Sequence, residues 1–254
     1  MNKKGTIVMK FGGTSVQDSG SIRNVINIVR NTSGRKVVVV SAISRATTTL
    51  EIIARAAAAK DVKEAEKQLE EIINRHHVII NELVKESSLK AAAAEKIINY
   101  HRQIAELIKG LSIINELSLR ILDAFRVFGE LMSSNVIYYA MLNEGLEVEL
   151  INSQDVIKTN NDFSRAYPNF ELSQINADRI VKPLLEKNKI VLAQGFMGST
   201  EDGIPTTMGR ESSDFSAAIY GSLTDADEIQ IWTDVDGVLT CDPNIIPDAL
   251  KLTE

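Results

Sequence analysis

The chain begins with a short apolar run, Thr6 to Phe11, that stops at Gly12-Gly13 and predicts a strand. Asp18 or Ser19 is placed to cap a following helix that carries Ile22, Val25, Ile26 and Val29 on one face and ends at Gly34. Val37 to Val40 is a continuous β-branched run, the pattern of a parallel strand buried on both faces. Strand, helix and strand at this spacing make a βαβ unit.

From about Thr49 to Asn143 the pattern is helical almost throughout. Asp61-x-x-Glu64 has the form of a capping box. Val62, Ala65, Leu69, Ile72, Ile73, Ile79, Ile80 and Leu83 follow at helical spacing, and a second stripe runs from Ile97 through Ile104 to Leu111. These predict an antiparallel helical hairpin set on an α/β body, either structural or a surface for a homodimer. The α/β pattern then returns. Strands are expected over Val148 to Ile151, Ile190 to Ala193 and Ile229 to Trp232, and helices over Ile175 to Leu185 and from Ser213 onward. Gly195 to Thr207 has hairpin or loop composition, and a loop rich in Asp, Gly and Pro starts at Thr233. There is no internal repeat and no linker between two full domains.

Composition narrows the classes. Charged residues are 24% and hydrophobic ones 44%, which excludes a disordered chain. The net charge of −6 argues against a general nucleic-acid partner, while leaving room for a local phosphate pocket. A single cysteine, Cys241, allows no disulfide within the chain, and the Met1–Thr6 start has no signal-peptide pattern. No apolar stretch is long enough to span a membrane. A cytoplasmic location, with no membrane partner, is the expectation.

Five segments hold candidate chemistry. Lys10-Phe11-Gly12-Gly13-Thr14-Ser15 combines a cation, close-approach glycines and hydroxyls, which suits a phosphate or a plain turn; it is not a Walker A loop. Ser41 to Thr47 follows a buried strand, where α/β sheets bind ligands or a helix is capped. Phe128-Gly129-Glu130-Leu131-Met132-Ser133 sets one carboxylate at the expected start of an apolar helix, favoured there by the macrodipole or placed to grip an ammonium. Thr207 to Asp214 offers Gly209, the fork of Arg210, Ser213 as a helix cap and Asp214 in the first turn. Trp232-Thr233-Asp234-Val235-Asp236-Gly237 follows a strand and suits a nucleotide, Mg2+ or a solvated turn. His76, His77 and His101 lack metal-site spacing and are expected at the surface or at caps.

As an ordered set, K-F-G-G-T-S, G-E-L-M-S, G-R-x-x-S-D and W-T-D-V-D-G-V resemble the aspartokinases of the amino acid kinase family, over essentially the whole chain. The last block is most similar to the kinase part of bifunctional aspartokinase–homoserine dehydrogenases. The resemblance implies an α/β amino acid kinase fold, with an open, mostly parallel sheet sandwiched between helices. It implies an amino-acid lobe over about 1–188, with the helical insertion at about 49–143, and a partial nucleotide lobe over about 189–254. It also implies transfer of the γ-phosphate of ATP, with Mg2+, to the β-carboxylate of L-aspartate, the first step toward lysine, threonine and methionine.

On the same resemblance, Lys10 neutralises the transferring phosphoryl group while Gly12, Gly13 and Ser15 meet the phosphates. Glu130 pairs with the substrate ammonium and Arg210 with its α-carboxylate. Ser41, Thr47 and Ser213 position the substrate's polar groups, Asp214 organises the catalytic groups, and Thr233 and Asp234 contact ATP. No metal ligand in the chain is implied. Departures fall at Ser212, often glycine in relatives, at Leu239, often aromatic, and at Asn244, often arginine. The family continues beyond the position of Glu254 with F-G-A-K-V-L-H-P and then regulatory ACT domains. A truncated kinase region without ACT domains or feedback control is therefore the expectation. An inactive amino-acid-binding module is one alternative. A kinase with another acceptor is a second, disfavoured where that acceptor has no ammonium for Glu130.

Overall fold

The computed structural model describes residues 5–209, 212–233, 237, 240–241, 246, 248 and 250. The elements run β1 (Thr6–Phe11), α1 (Ser19–Asn31), β2 (Arg35–Val40), α2 (Ala46–Ala58), α3 (Val62–Leu83), α4 (Ser87–Ile114), α5 (Leu119–Asn143) and β3 (Val148–Leu150). They continue with α6 (Ser153–Val156), α7 (Phe170–Ile180), α8 (Lys182–Glu186), β4 (Ile190–Gln194), β5 (Met197–Ser199), β6 (Pro205–Thr207), α9 (Ser213–Leu223) and β7 (Glu228–Trp232).

Five strands form one sheet in the order β3-β4-β2-β1-β7. Every pairing in it is parallel. Parallel strands need cover on both faces, and the apolar run of β2 supplies it. Val38 and Val40 turn into a core shared with α1 to α5, whereas Val37 and Val39 turn into a second core with α7, α8 and α9. The chain is thus a sheet between helix layers, as expected. β5 and β6 form a separate antiparallel hairpin. The register aligns Phe11 with Val40 and with Trp232, and Val40 with Gln194, so the carboxyl ends of four strands finish at one level.

The long helical stretch is four helices rather than a hairpin alone. α3 and α4 make the hairpin across a three-residue connection, while α2 and α5 pack under it and α5 lies against β2, β3, β4 and β6. Asp61 caps α3 through the Glu64 N–H at 3.1 Å. The reciprocal half of the expected capping box is absent, because the Asp61 N–H is already taken by the Ala56 carbonyl. The helix expected over Ile175 to Leu185 starts earlier, at Phe170, and is divided in two. Asn169 caps its start, and Pro183 lies in the first turn of α8, where a missing N–H costs nothing. His76 corrects the surface expectation. It is fully buried, its Nδ1 lies 2.7 Å from the Ile72 carbonyl, and burial lowers its pKa to about 4. No helix among the described residues is long and apolar enough to cross a membrane.

Candidate active site

A cleft of about 400 Å³ opens at the carboxyl ends of the strands, walled in part by Gly13, the Ser41–Thr47 segment, Glu51, Glu130, Phe196 and Ser213. Ligands of open α/β sheets occupy this position. Three close approaches shape it. A Cβ on Gly13 would lie 3.0 Å from the Ala42 carbonyl. One on Gly129 would lie 3.0 Å from the Ala42 Cβ and 3.3 Å from the Thr47 Oγ1. One on Gly195 would lie 2.8 Å from the Ser213 Cβ. Glycine at these points lets α5, β4 and the first turn of α9 meet the Ser41–Thr47 loop.

That loop is held from several sides. Ser41 Oγ donates to Ser213 Oγ at 2.9 Å, and Ser133 Oγ donates to the Ser41 carbonyl at 2.8 Å. Arg75, from the helical insertion, donates to the Ser44 carbonyl at 2.6 Å and to the Gln17 carbonyl at 2.9 Å, so one guanidinium braces two loops. α2 begins after Arg45, which has φ 70° and no side-chain cap. Neither Ser44 nor Thr47 caps that helix, so the capping alternative fails here.

Glu130 is not at a helix start. α5 begins at Leu119, capped by Ser118, and Glu130 lies mid-helix, where the macrodipole gives it little. It is 3% exposed. Oε1 accepts the Ala42 N–H at 3.2 Å, and Oε2 is buried without a hydrogen-bond partner. Burial raises its pKa to about 8, against the lowering effect of the Ala42 N–H. A carboxyl group desolvated in a cleft wall with one oxygen unmet is chemically suited to a cation.

Lys10 and Asp214 form an ion pair at 2.6 Å, joining the end of β1 to the first turn of α9. Neither they nor Gly12 and Ser15 wall the cleft; they adjoin it through their neighbours Ser213, Gly13 and Thr14. Ser213 corrects the capping expectation. It is the first helical residue, Ser212 stands at the cap position, and no side chain caps α9. Thr233 is exposed beyond the end of β7, after Trp232, whose ring stacks on Phe11 at 6.0 Å. Arg210, Asp234, Leu239 and Asn244 lie outside the described residues.

A buried ionic network, centred on residues outside the five segments, lies beside the cleft. Asp123 is fully buried on α5. It accepts the N–H of Ser164 at 2.7 Å and of Thr207 at 2.9 Å, and their hydroxyls at 2.9 and 2.7 Å. Arg126 joins it at 3.4 Å and pairs with Glu51 at 2.7 Å. Asp123 stands seven residues before Glu130, two turns along the same helix face, and that spacing of acids within an apolar run was a usable signal.

The family model "Amino acid kinase family" matches residues 5–254. The chain is 36% identical over 250 residues to the chloroplastic bifunctional aspartokinase/homoserine dehydrogenase 2 of Arabidopsis thaliana, covering 96% of this chain and 26% of that protein. It is 37% identical over 242 residues to the aspartokinase of Chlamydia trachomatis, covering 95% of this chain and 52% of that one. E. coli aspartokinase III in complex with aspartate and ADP superposes with a TM-score of 0.89 at 29% identity, covering 97% of this chain and 53% of that chain. The chain therefore spans about a quarter to a half of the length of these relatives.

Proposed function

Because the chain belongs to the amino acid kinase family, we propose that it forms the catalytic region of an aspartate kinase, moving the γ-phosphate of ATP to the β-carboxylate of L-aspartate. The observation that supports this reading most is Glu130, whose buried Oε2 lacks a partner in the wall of the cleft. A primary ammonium supplies the missing donors and the missing charge. The similarity to an aspartokinase crystallised with aspartate and ADP agrees with such an acceptor.

In the proposed mechanism the ammonium of aspartate sits on Glu130 and its α-carboxylate meets Arg210. Ser41, Thr47 and Ser213 orient the polar groups between them. The phosphates of ATP lie over Gly12, Gly13 and Ser15 at the end of β1, and Thr233 and Asp234 contact the nucleotide. Lys10, kept in place by Asp214 at 2.6 Å, faces the transferring phosphoryl group and offsets the charge that gathers there. The β-carboxylate is already a nucleophile, so no covalent enzyme intermediate is required. The protein contributes alignment and charge neutralisation. Among the described residues no group of three or more His, Cys, Asp or Glu is placed to hold a metal ion. Mg2+ enters this proposal as part of MgATP, where it shields the phosphates.

An acceptor panel tests the reading. L-aspartate should drive ADP formation, with N-acetylglutamate and nucleoside monophosphates inert. Turnover with one of those acceptors and none with aspartate would overturn it. Aspartate binding without any turnover would instead favour an amino-acid-binding module.

A further inference from the structure

The cleft wall contains two residues that are fixed from behind by a single set of buried charges. Glu51 is 8% exposed and takes the Arg126 guanidinium twice, at 2.9 Å from Nε and 2.7 Å from the terminal nitrogen. Phe196 is held through the β5–β6 hairpin: its carbonyl accepts the Met208 N–H at 3.0 Å, and Met208 follows directly on Thr207. Thr207 is fully buried and gives both its N–H and its hydroxyl to Asp123. Arg126 and Asp123 are themselves joined, directly at 3.4 Å and through Ser164 Oγ, which accepts from Arg126 at 2.8 Å and donates to Asp123 at 2.9 Å. Ser164 holds φ 67°, a left-handed backbone that its three hydrogen bonds with Asp123 and Arg126 keep in place.

The network therefore ties α2, α5, the Ser164 loop and the end of β6 to one carboxylate. Asp123 and Glu130 share a face of α5, seven residues and about 10.5 Å apart along the axis. The helix acts as a ruler. At one end Glu130 faces the cleft, and at the other Asp123 fixes the chain that carries Phe196, another part of the cleft wall. Any slip of the hairpin along α5 changes the distance from Glu130 to that wall. The buried N–H and hydroxyl of Thr207 both go to Asp123, and losing that carboxylate would strand them, so the arrangement is held tightly.

We propose that the Asp123–Arg126–Glu51 network is a positioning device that sets the length of the amino-acid end of the cleft, and so selects an acceptor of aspartate's length over glutamate's without touching either. The inference rests on the proposed aspartate reading of the same cleft. Asp123, Arg126 and Thr207 act through the wall residues they hold, not on the reacting atoms.

The experiment compares binding of L-aspartate and L-glutamate by calorimetry to the parent chain and to Asp123→Asn, Thr207→Val and Thr207→Ser. Asp123→Asn keeps the shape and removes the charge opposite Arg126. Thr207→Val removes one donor, and Thr207→Ser restores it. Asp123→Asn and Thr207→Val should weaken aspartate binding about tenfold and lower the aspartate-to-glutamate selectivity at least about threefold, with Thr207→Ser close to the parent. The selectivity ratio does not depend on the fraction of molecules folded, so a merely stabilising network would leave it unchanged. An unchanged ratio in Asp123→Asn, or in Thr207→Val should Asp123→Asn not fold, overturns the inference. A parent chain that binds glutamate as well as aspartate overturns it too. A parent chain that binds neither removes the aspartate reading itself.

Discussion

Burial raises the Glu130 pKa from the ordinary carboxylate value near 4.5 to about 8 in the folded chain. Between these values the folded chain keeps a proton that the unfolded chain gives up, so Glu130's contribution to stability falls as pH rises from about 4.5 to 8. The thermal midpoint of the parent should therefore decline faster across that window than that of Glu130→Gln, as scanning calorimetry at four or five pH values would show. Lys10 makes a different demand. Lys10→Ala leaves the Glu130 seat intact, so kcat should drop at least about a hundredfold while the Kd for aspartate moves less than about threefold. Equal loss in both would place Lys10 in acceptor binding instead. Glu130 was legible as the single acid in Phe128–Ser133, but its mid-helix seat was not. The helix start depends on Ser118, twelve residues upstream, and the burial depends on Ala42, which no local pattern relates to it. Asp123 carries the acid spacing to Glu130, but its role is not legible locally, since its partners Ser164 and Thr207 are 41 and 84 residues away in the chain.

At the scale of elements, what the pattern predicted well were strands bounded by glycine or charge. β1 was read to the residue, and β2 and β4 to within two, because runs such as Val37–Val40 fit only a strand covered on both faces. Helix divisions were harder to place. Periodicity joins α7 to α8 across Val181, and it merges α2 to α5 into one stretch, since each apolar stripe looks alike whichever neighbour it meets. The junction of β4 with α9 yields a prediction. A Cβ at Gly195 meets the Ser213 Cβ at 2.8 Å and its Cα at 3.1 Å, so backbone must move. Gly195→Ala should cost about 1–3 kcal/mol in denaturant unfolding and weaken aspartate binding by displacing Ser213 from Ser41. An Ala variant as stable as the parent would show that this junction has slack.

For the whole molecule, the sheet places the proposed acceptor seat beside β2 and β4, and the proposed nucleotide contacts beyond β1 and β7. Trp232, the single tryptophan, ends β7 next to Thr233 and stacks on Phe11 at 6.0 Å. Its emission should shift on addition of MgATP and not on addition of L-aspartate alone. A reversed response would exchange the two ends of the site. At the other end of the proposed site, a neutral Glu130 must ionise to hold an ammonium. The most direct test is calorimetry of L-aspartate binding to this chain at pH 7, repeated in buffers of different ionisation enthalpy. With the Glu130 pKa starting at about 8, binding should release close to one proton, and Glu130→Gln should lose that release and at least about thirtyfold in affinity. Aspartate binding with no proton released, and equally tight in Glu130→Gln, would contradict the account.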